Sequence, residues 1–263
     1  MTRVLSALVL LPIVVGAVWF LPPVATLGLA LVAAALAFLE YAAIAASLDT
    51  HIPRIVSGAA VLAACTALGS GSVPLDVVLL TAVITIGALA VGGGQPGPAV
   101  LRNVAAAVLP IVYIGLPLGA LAAVRALGGR EALLLLMATI VISDSAQYYT
   151  GRALGRRALA PAISPKKTVE GAVGGLIIGT LAFIAGTRLI FPGASLLLTV
   201  LAGASVAALG IVGDLFESML KRSAGVKDSS QMIPGHGGVL DRIDSWLFAA
   251  PLYYAFVKYL RLS

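Results

Sequence analysis

Asp144, Asp214, Asp241 and Asp244, with a set of cations, lie in three short stretches of this chain, where the surrounding residues are almost all apolar. The first stretch, SDSAQYYTGRALGRRALAPAISPKKTVEG (143–171), sets Asp144 about two turns before a polar loop. Gln147, Tyr148, Gly151 and Arg152 follow it at helical spacing, so they share its face. The second, GDLFESMLKR (213–222), puts Asp214, Glu217, Ser218 and Lys221 on one helical stripe. The third, KRSAGVKDSSQMIPGHGGVLDRID (221–244), ends in a Gly-rich turn followed by Asp241, Arg242 and Asp244. Hard carboxylate oxygens without Cys and with few His suit Mg²⁺, which binds through a few carboxylates plus substrate phosphates. Cations beside such a site serve phosphoryl or nucleotidyl transfer, which needs neutralisation of charge and in-line positioning more than a covalent nucleophile.

Each stretch also has a plainer reading. Asp144 could be held in a structural pair by Arg152, since an acid inside an apolar membrane helix costs about 2.5–3.5 kcal/mol and normally faces a partner or a cavity. A Glu217–Lys221 pair at i,i+4 is worth only a few tenths of a kcal/mol in water and leaves Asp214 unexplained. Either Asp241 or Asp244 alone could serve the dipole of a helix starting after the turn. In PGHGG (234–238), backbone N–H groups could close on an anion, with the helix start aimed at it. His236 could donate to a phosphate or steady the turn, and Lys227 and Asp228 read equally well as a solvated pair.

The elements that must position these residues are membrane helices. The chain is 60% hydrophobic and 11% charged, against about 25% charged in soluble domains. Several apolar runs approach the roughly 20 residues that a bilayer-spanning helix needs. They do not alternate as the strands of a membrane barrel would. Gly, Pro and charge divide the chain into about nine candidate helices, near 4–20, 24–47, 55–70, 74–91, 103–124, 131–151, 169–190, 195–213 and 239–260. The expectation is an all-α, polytopic integral membrane protein with N-terminal helices over 1–130. A catalytic region over 131–263 would carry polar loops at 152–168 and 214–238. The first helix follows Arg3 and has no small-x-small cleavage site, so it reads as retained.

Cys65 is the only cysteine and lies in an apolar segment, which excludes an internal disulfide or a thiolate metal site. The net charge of +6 has no soluble basic domain to carry it, which argues against nucleic acid as a partner. When the nine helices alternate, twelve of the 17 Lys and Arg residues fall on the side of the N-terminus and both polar loops. By the positive-inside rule that side is cytoplasmic, where nucleotides and Mg²⁺ are available.

The segment SMLKRSAGVKDSSQMIPGHGGVLDRID resembles the signature of the bacterial phosphatidate cytidylyltransferases (CDP-diacylglycerol synthases), and SPKKTVEG with GRALGRR is similar to that family's upstream loop. The resemblance is detailed over about 140–245, while the first 130 residues add only hydropathy, apart from Glu40 in its apolar helix. It implies that CTP and phosphatidic acid give CDP-diacylglycerol and pyrophosphate at the cytoplasmic membrane, in phospholipid biosynthesis. It implies Mg²⁺, alone or with a second cation, on Asp214 and Asp241 with help from Asp144 and Asp244. Lys166, Lys167, Lys221, Arg222, His236 and Arg242 would then act on phosphate charge, and Ser218, Gly235, Gly237 and Gly238 would contact substrate. A homodimer is implied as well. The alternatives are a CTP-dependent polyprenol or dolichol kinase-like enzyme and, in a different class, an ion-coupled secondary transporter; the chain lacks the inverted repeat a transporter would favour.

Overall fold

The computed structural model describes residues 12–93, 96–232 and 237–262. Helix α1 occupies residues 12–20. It is followed by α2 (Pro23–Ser47), α3 (Arg54–Ser70), α4 (Leu75–Gly92), α5 (Ala99–Pro110), α6 (Leu116–Leu154), α7 (Val169–Ile190), α8 (Leu196–Ser223) and α9 (Leu240–Leu262). One π-helical turn, Ile111–Gly115, joins α5 to α6. It follows Pro110, which has no N–H to give the helical ladder, so the backbone widens there. Helix α6 is broken at Gly129, whose φ of 84° and ψ of −179° are open to a residue without Cβ. The expected break between 124 and 131 therefore lies at this glycine.

Five described helical stretches are long and apolar enough to cross a bilayer: Pro23–Ser47, Leu75–Gly92, Ala99–Leu154, Val169–Ile190 and Leu196–Ser223. Arg54–Ser70 is a shorter apolar helix. Helix α4 buries only Ala82 and Ile86 and shows Leu80, Val83, Ile84 and Val91 outward. Such a surface is stable against lipid and not against water. The chain is an all-α, multi-pass membrane protein.

Two expectations about the polar loops need correction. Helix α8 does not stop at 213 but runs to Ser223, so the first ten residues of the expected loop 214–238 are helical. Leu, Glu, Met, Lys and Arg in that stretch all favour a helix, and no Gly or Pro interrupts it before Gly225. Within 152–168, α6 continues to Leu154 and a small antiparallel hairpin follows, β1 (Ala158–Ala160) against β2 (Ser164–Thr168). The Thr168 hydroxyl then caps α7 by accepting from the N–H of Gly171 at 3.1 Å. Glu170, in the first turn of α7, accepts from the N–H groups of Arg156 and Arg157 at 2.9 and 3.2 Å and ties the hairpin down.

One close helix crossing brings two of the aspartates together. A Cβ on Gly213 would stand 2.5 Å from the carbonyl oxygen of Asp244, so only glycine lets α8 approach α9 at this level. The crossing sets Asp214 beside Asp244. Behind it Tyr113, Phe216 and Phe248 pack edge-on or tilted at centroid distances of 5.1–6.1 Å, wedging the π-turn against both helices.

Candidate active site

The ends of α6 and α8 and the start of α9 converge on a cavity of about 440 Å³. Asp144, Asp214, Asp241 and Asp244 line it, together with Ser218, Lys221, Arg222 and Arg242. Ile140, Val141 and Trp246 form an apolar side of the same cavity. Helical periodicity explains the grouping: Asp214, Ser218 and Lys221 repeat at i, i+4 and i+7 on α8, and Asp241 and Asp244 at i,i+3 on α9.

Within the cavity the acids play different parts. Asp214 pairs with Lys167 through Oδ2, and its Oδ1 lies 3.4 Å from the Ser218 hydroxyl. Asp144, Asp214 and Asp244 are near enough to feel one another's charge. Asp244 accepts from the N–H of Ser245 at 2.6 Å through Oδ1. Asp241 is more heavily engaged. Its Oδ1 pairs with Lys221, and its Oδ2 accepts from the Ser229 N–H, the Ser229 hydroxyl and the Gly238 N–H at 2.9, 2.7 and 2.8 Å. Lys221 also pairs with Glu217, whose side chain is fully buried. The i,i+4 pair expected from the sequence is therefore formed, but in a dry setting. Removing one member of such a pair typically costs about 3–5 kcal/mol.

Other sequence-identified residues lie at the margins. Lys167 and Lys166 are neighbours on β2, and only Lys167 reaches an aspartate; Lys166 is exposed. Arg222 at the rim donates to the carbonyls of Ile163 and Val226 at 3.4 and 3.1 Å, holding the hairpin to the end of α8. Lys227 and Asp228, open to a reading as a solvated surface pair, both line the cavity. Arg152 is exposed, and no ion pair joins it to Asp144 among the described residues. Gly235 and His236 lie outside the described residues.

The reading of the Gly-rich turn as an open phosphate cradle is corrected over its described residues. The N–H of Gly238 is taken by Asp241, and those of Val239 and Leu240 are taken by Glu40 of α2 at 2.9 and 2.8 Å. The start of α9 is thus held by the protein's own carboxylates. Gly237 has φ 78°, and a Cβ there would strike the Asp241 carboxylate. Glu40 was visible in the sequence only as an acid in an apolar helix. Its role could not be read because its partners stand 189 to 200 residues away.

Among the described residues no three His, Cys, Asp or Glu side chains are drawn together into a ready metal cluster. Asp144, Asp214 and Asp244 nevertheless bring hard carboxylate oxygens, the donor type that a hard cation takes, to one cavity.

The Escherichia coli K12 protein YnbB, described as uncharacterized, is 43% identical over 132 residues, covering 50% of this chain and 44% of that protein. A Haemophilus influenzae phosphatidate cytidylyltransferase is 45% identical over 132 residues, covering 49% of this chain and 46% of that protein. A Thermotoga maritima phosphatidate cytidylyltransferase is 36% identical over 195 residues, covering 71% and 70% respectively. The chain spans about half the length of the first two relatives. The model of the cytidylyltransferase family matches residues 1–260, and the chain belongs to that family.

Proposed function

We propose that this protein is a phosphatidate cytidylyltransferase, joining CTP and phosphatidate to give CDP-diacylglycerol and pyrophosphate. The observation that carries the reading is the cavity of mixed charge at the joined ends of α6, α8 and α9, with an apolar wall of Ile140, Val141 and Trp246. A lipid phosphate can enter such a cavity while its acyl chains remain beside apolar side chains. The relatives named as phosphatidate cytidylyltransferases support the same substrates.

An oxygen of the phosphatidate phosphate, already anionic, attacks the α-phosphorus of CTP. The new P–O bond forms as the bond from the α-phosphorus to the bridging oxygen breaks, and pyrophosphate leaves with that electron pair. No protein base is needed. Asp144, Asp214 and Asp244 are the residues that would hold Mg²⁺, which supplies neutralisation of phosphate charge when bound. Asp241 could serve as a ligand only by giving up part of its hold on Lys221, Ser229 and Gly238. Lys167 and Lys221 orient the carboxylates and lower the net negative charge facing the two anionic substrates. Arg242, on the cavity wall, adds a planar fork suited to phosphate oxygens. His236 is placed by the sequence within eight residues of Asp244 and would donate to a phosphate.

The same reading sets the protein in the cytoplasmic membrane as nine spans, with its cavity on the cytoplasmic side and with two copies as the working unit. The test is incorporation of radiolabelled CTP into lipid by the purified protein in mixed micelles. Label should enter CDP-diacylglycerol only with phosphatidate present, stop with EDTA and return with Mg²⁺. Incorporation into a polyprenol acceptor in place of phosphatidate would overturn the assignment.

A further inference from the structure

We infer that Glu40 is a positioning residue for the site, acting from the N-terminal half of the chain on a segment far from it in sequence. This rests on the proposed cytidylyl transfer. Glu40 lies on α2, and its side chain is almost wholly buried. Its Oε1 accepts from the Ser230 hydroxyl at 2.8 Å and the Val239 N–H at 2.9 Å. Its Oε2 accepts from the Leu240 N–H at 2.8 Å and lies 2.9 Å from the Ser229 hydroxyl, whose one proton it shares with Asp241. Three donors and one shared hydroxyl use most of the carboxylate's acceptor capacity.

The donors come from the two ends of one segment. Ser229 and Ser230 lie where the chain leaves the end of α8, and Val239 and Leu240 where it enters α9. Glu40 therefore clamps both ends of 229–240, and the carboxylate also sits at the positive end of α9. The packing is close enough that a Cβ on Gly238 would collide with both Glu40 and the Ser229 hydroxyl.

From Glu40 the contacts continue without a break into the cavity. Ser229 touches Asp241, Asp241 pairs with Lys221, and Lys221 pairs with Glu217. The clamp thus fixes where Asp241 and Lys221 stand, although Glu40 does not line the cavity itself. A glutamine at position 40 would keep one carbonyl oxygen but turn an NH₂ toward two of the donors. An aspartate would keep the charge and shorten the reach by one methylene.

The experiment compares Glu40→Gln and Glu40→Asp with the wild-type chain in micelles, by two readouts. The first is the rate of trypsin cleavage after exposed Lys227, measured without nucleotide and independent of turnover. The second is the separate kcat and KM for CTP at saturating phosphatidate. Glu40→Gln should melt near the wild-type temperature, be cut after Lys227 about tenfold faster and lose about tenfold in kcat/KM for CTP. Glu40→Asp should fall between the two. Wild-type cleavage rate and CTP dependence in folded Glu40→Gln would overturn the role. So would failure of both variants to fold, or activity that tracks only the folded fraction, since either assigns Glu40 to the fold alone. If the wild-type chain does not transfer from CTP to phosphatidate, the proposed function fails. The trypsin comparison still decides whether Glu40 holds the segment.

Discussion

Asp214 and Asp244 meet because Gly213 lets two helix backbones touch, whereas Asp241 is held among the described residues by Lys221, Ser229 and Gly238. That difference separates acids that could bind a cation from one that braces a loop. Asp244→Asn should lower cytidylyl transfer by at least about 100-fold while the protein still inserts and melts normally, because a lost ligand costs more than a lost supporting contact. Half-saturating Mg²⁺ should rise in the same variant. Near wild-type turnover in Asp244→Asn would remove it from the metal site. Asp214 and Asp244 could be found from the sequence because other polar residues accompany them at helical spacing, and Asp144 because an acid in an apolar helix is conspicuous. Glu40 met the same criterion, but its hydrogen-bond partners are supplied by a segment that periodicity cannot link to α2. Which oxygens Asp241 has left for a ligand was also beyond the sequence, since the Ser229 contacts depend on how the 229–240 segment folds back.

At the scale of elements, the helices were legible from apolar runs and their punctuation, and the hairpin was not. SPKKT is short, polar and contains Pro165, so nothing in its pattern marks a strand. Its extended backbone nevertheless has a consequence that a loop would lack: neighbouring side chains point to opposite faces. Lys167 turns toward Asp214, while Lys166 faces outward and is exposed. Lys167→Met should cost about tenfold or more in turnover, as expected for the loss of a charge-assisted contact next to a candidate ligand. Lys166→Met should cost no more than about threefold, since an exposed charge contributes little. Steady-state rates at matched protein content decide this, and equal losses in the two variants would mean that the hairpin turns over when substrate binds.

The whole molecule is polarised along its helices. The C-terminal ends of α2, α6 and α8 and the N-terminal ends of α7 and α9 gather at the cavity end, and the hairpin reaches it through the Lys167–Asp214 pair. At the opposite end the cations are fewer and locally occupied. Arg130 pairs with Glu131 at 2.9 Å and lies 4.3 Å from the Trp19 ring, and Arg125 donates to the Leu21 carbonyl at 3.2 Å. A cytoplasmic cavity is the orientation that the positive-inside rule predicts from the twelve-to-five division of Lys and Arg in the sequence. A reporter cysteine can test this in a Cys65→Ser background, since Cys65 is fully buried. Ser229 would be a poor position because it is buried between Glu40 and Asp241. Arg156 is exposed and contributes only its backbone N–H to Glu170, so Arg156→Cys leaves the hairpin anchored. A membrane-impermeant maleimide should label this cysteine in inverted vesicles and not in intact cells. Labelling in intact cells would turn the molecule over and leave the cavity without access to cytoplasmic CTP, which the proposed reaction cannot survive.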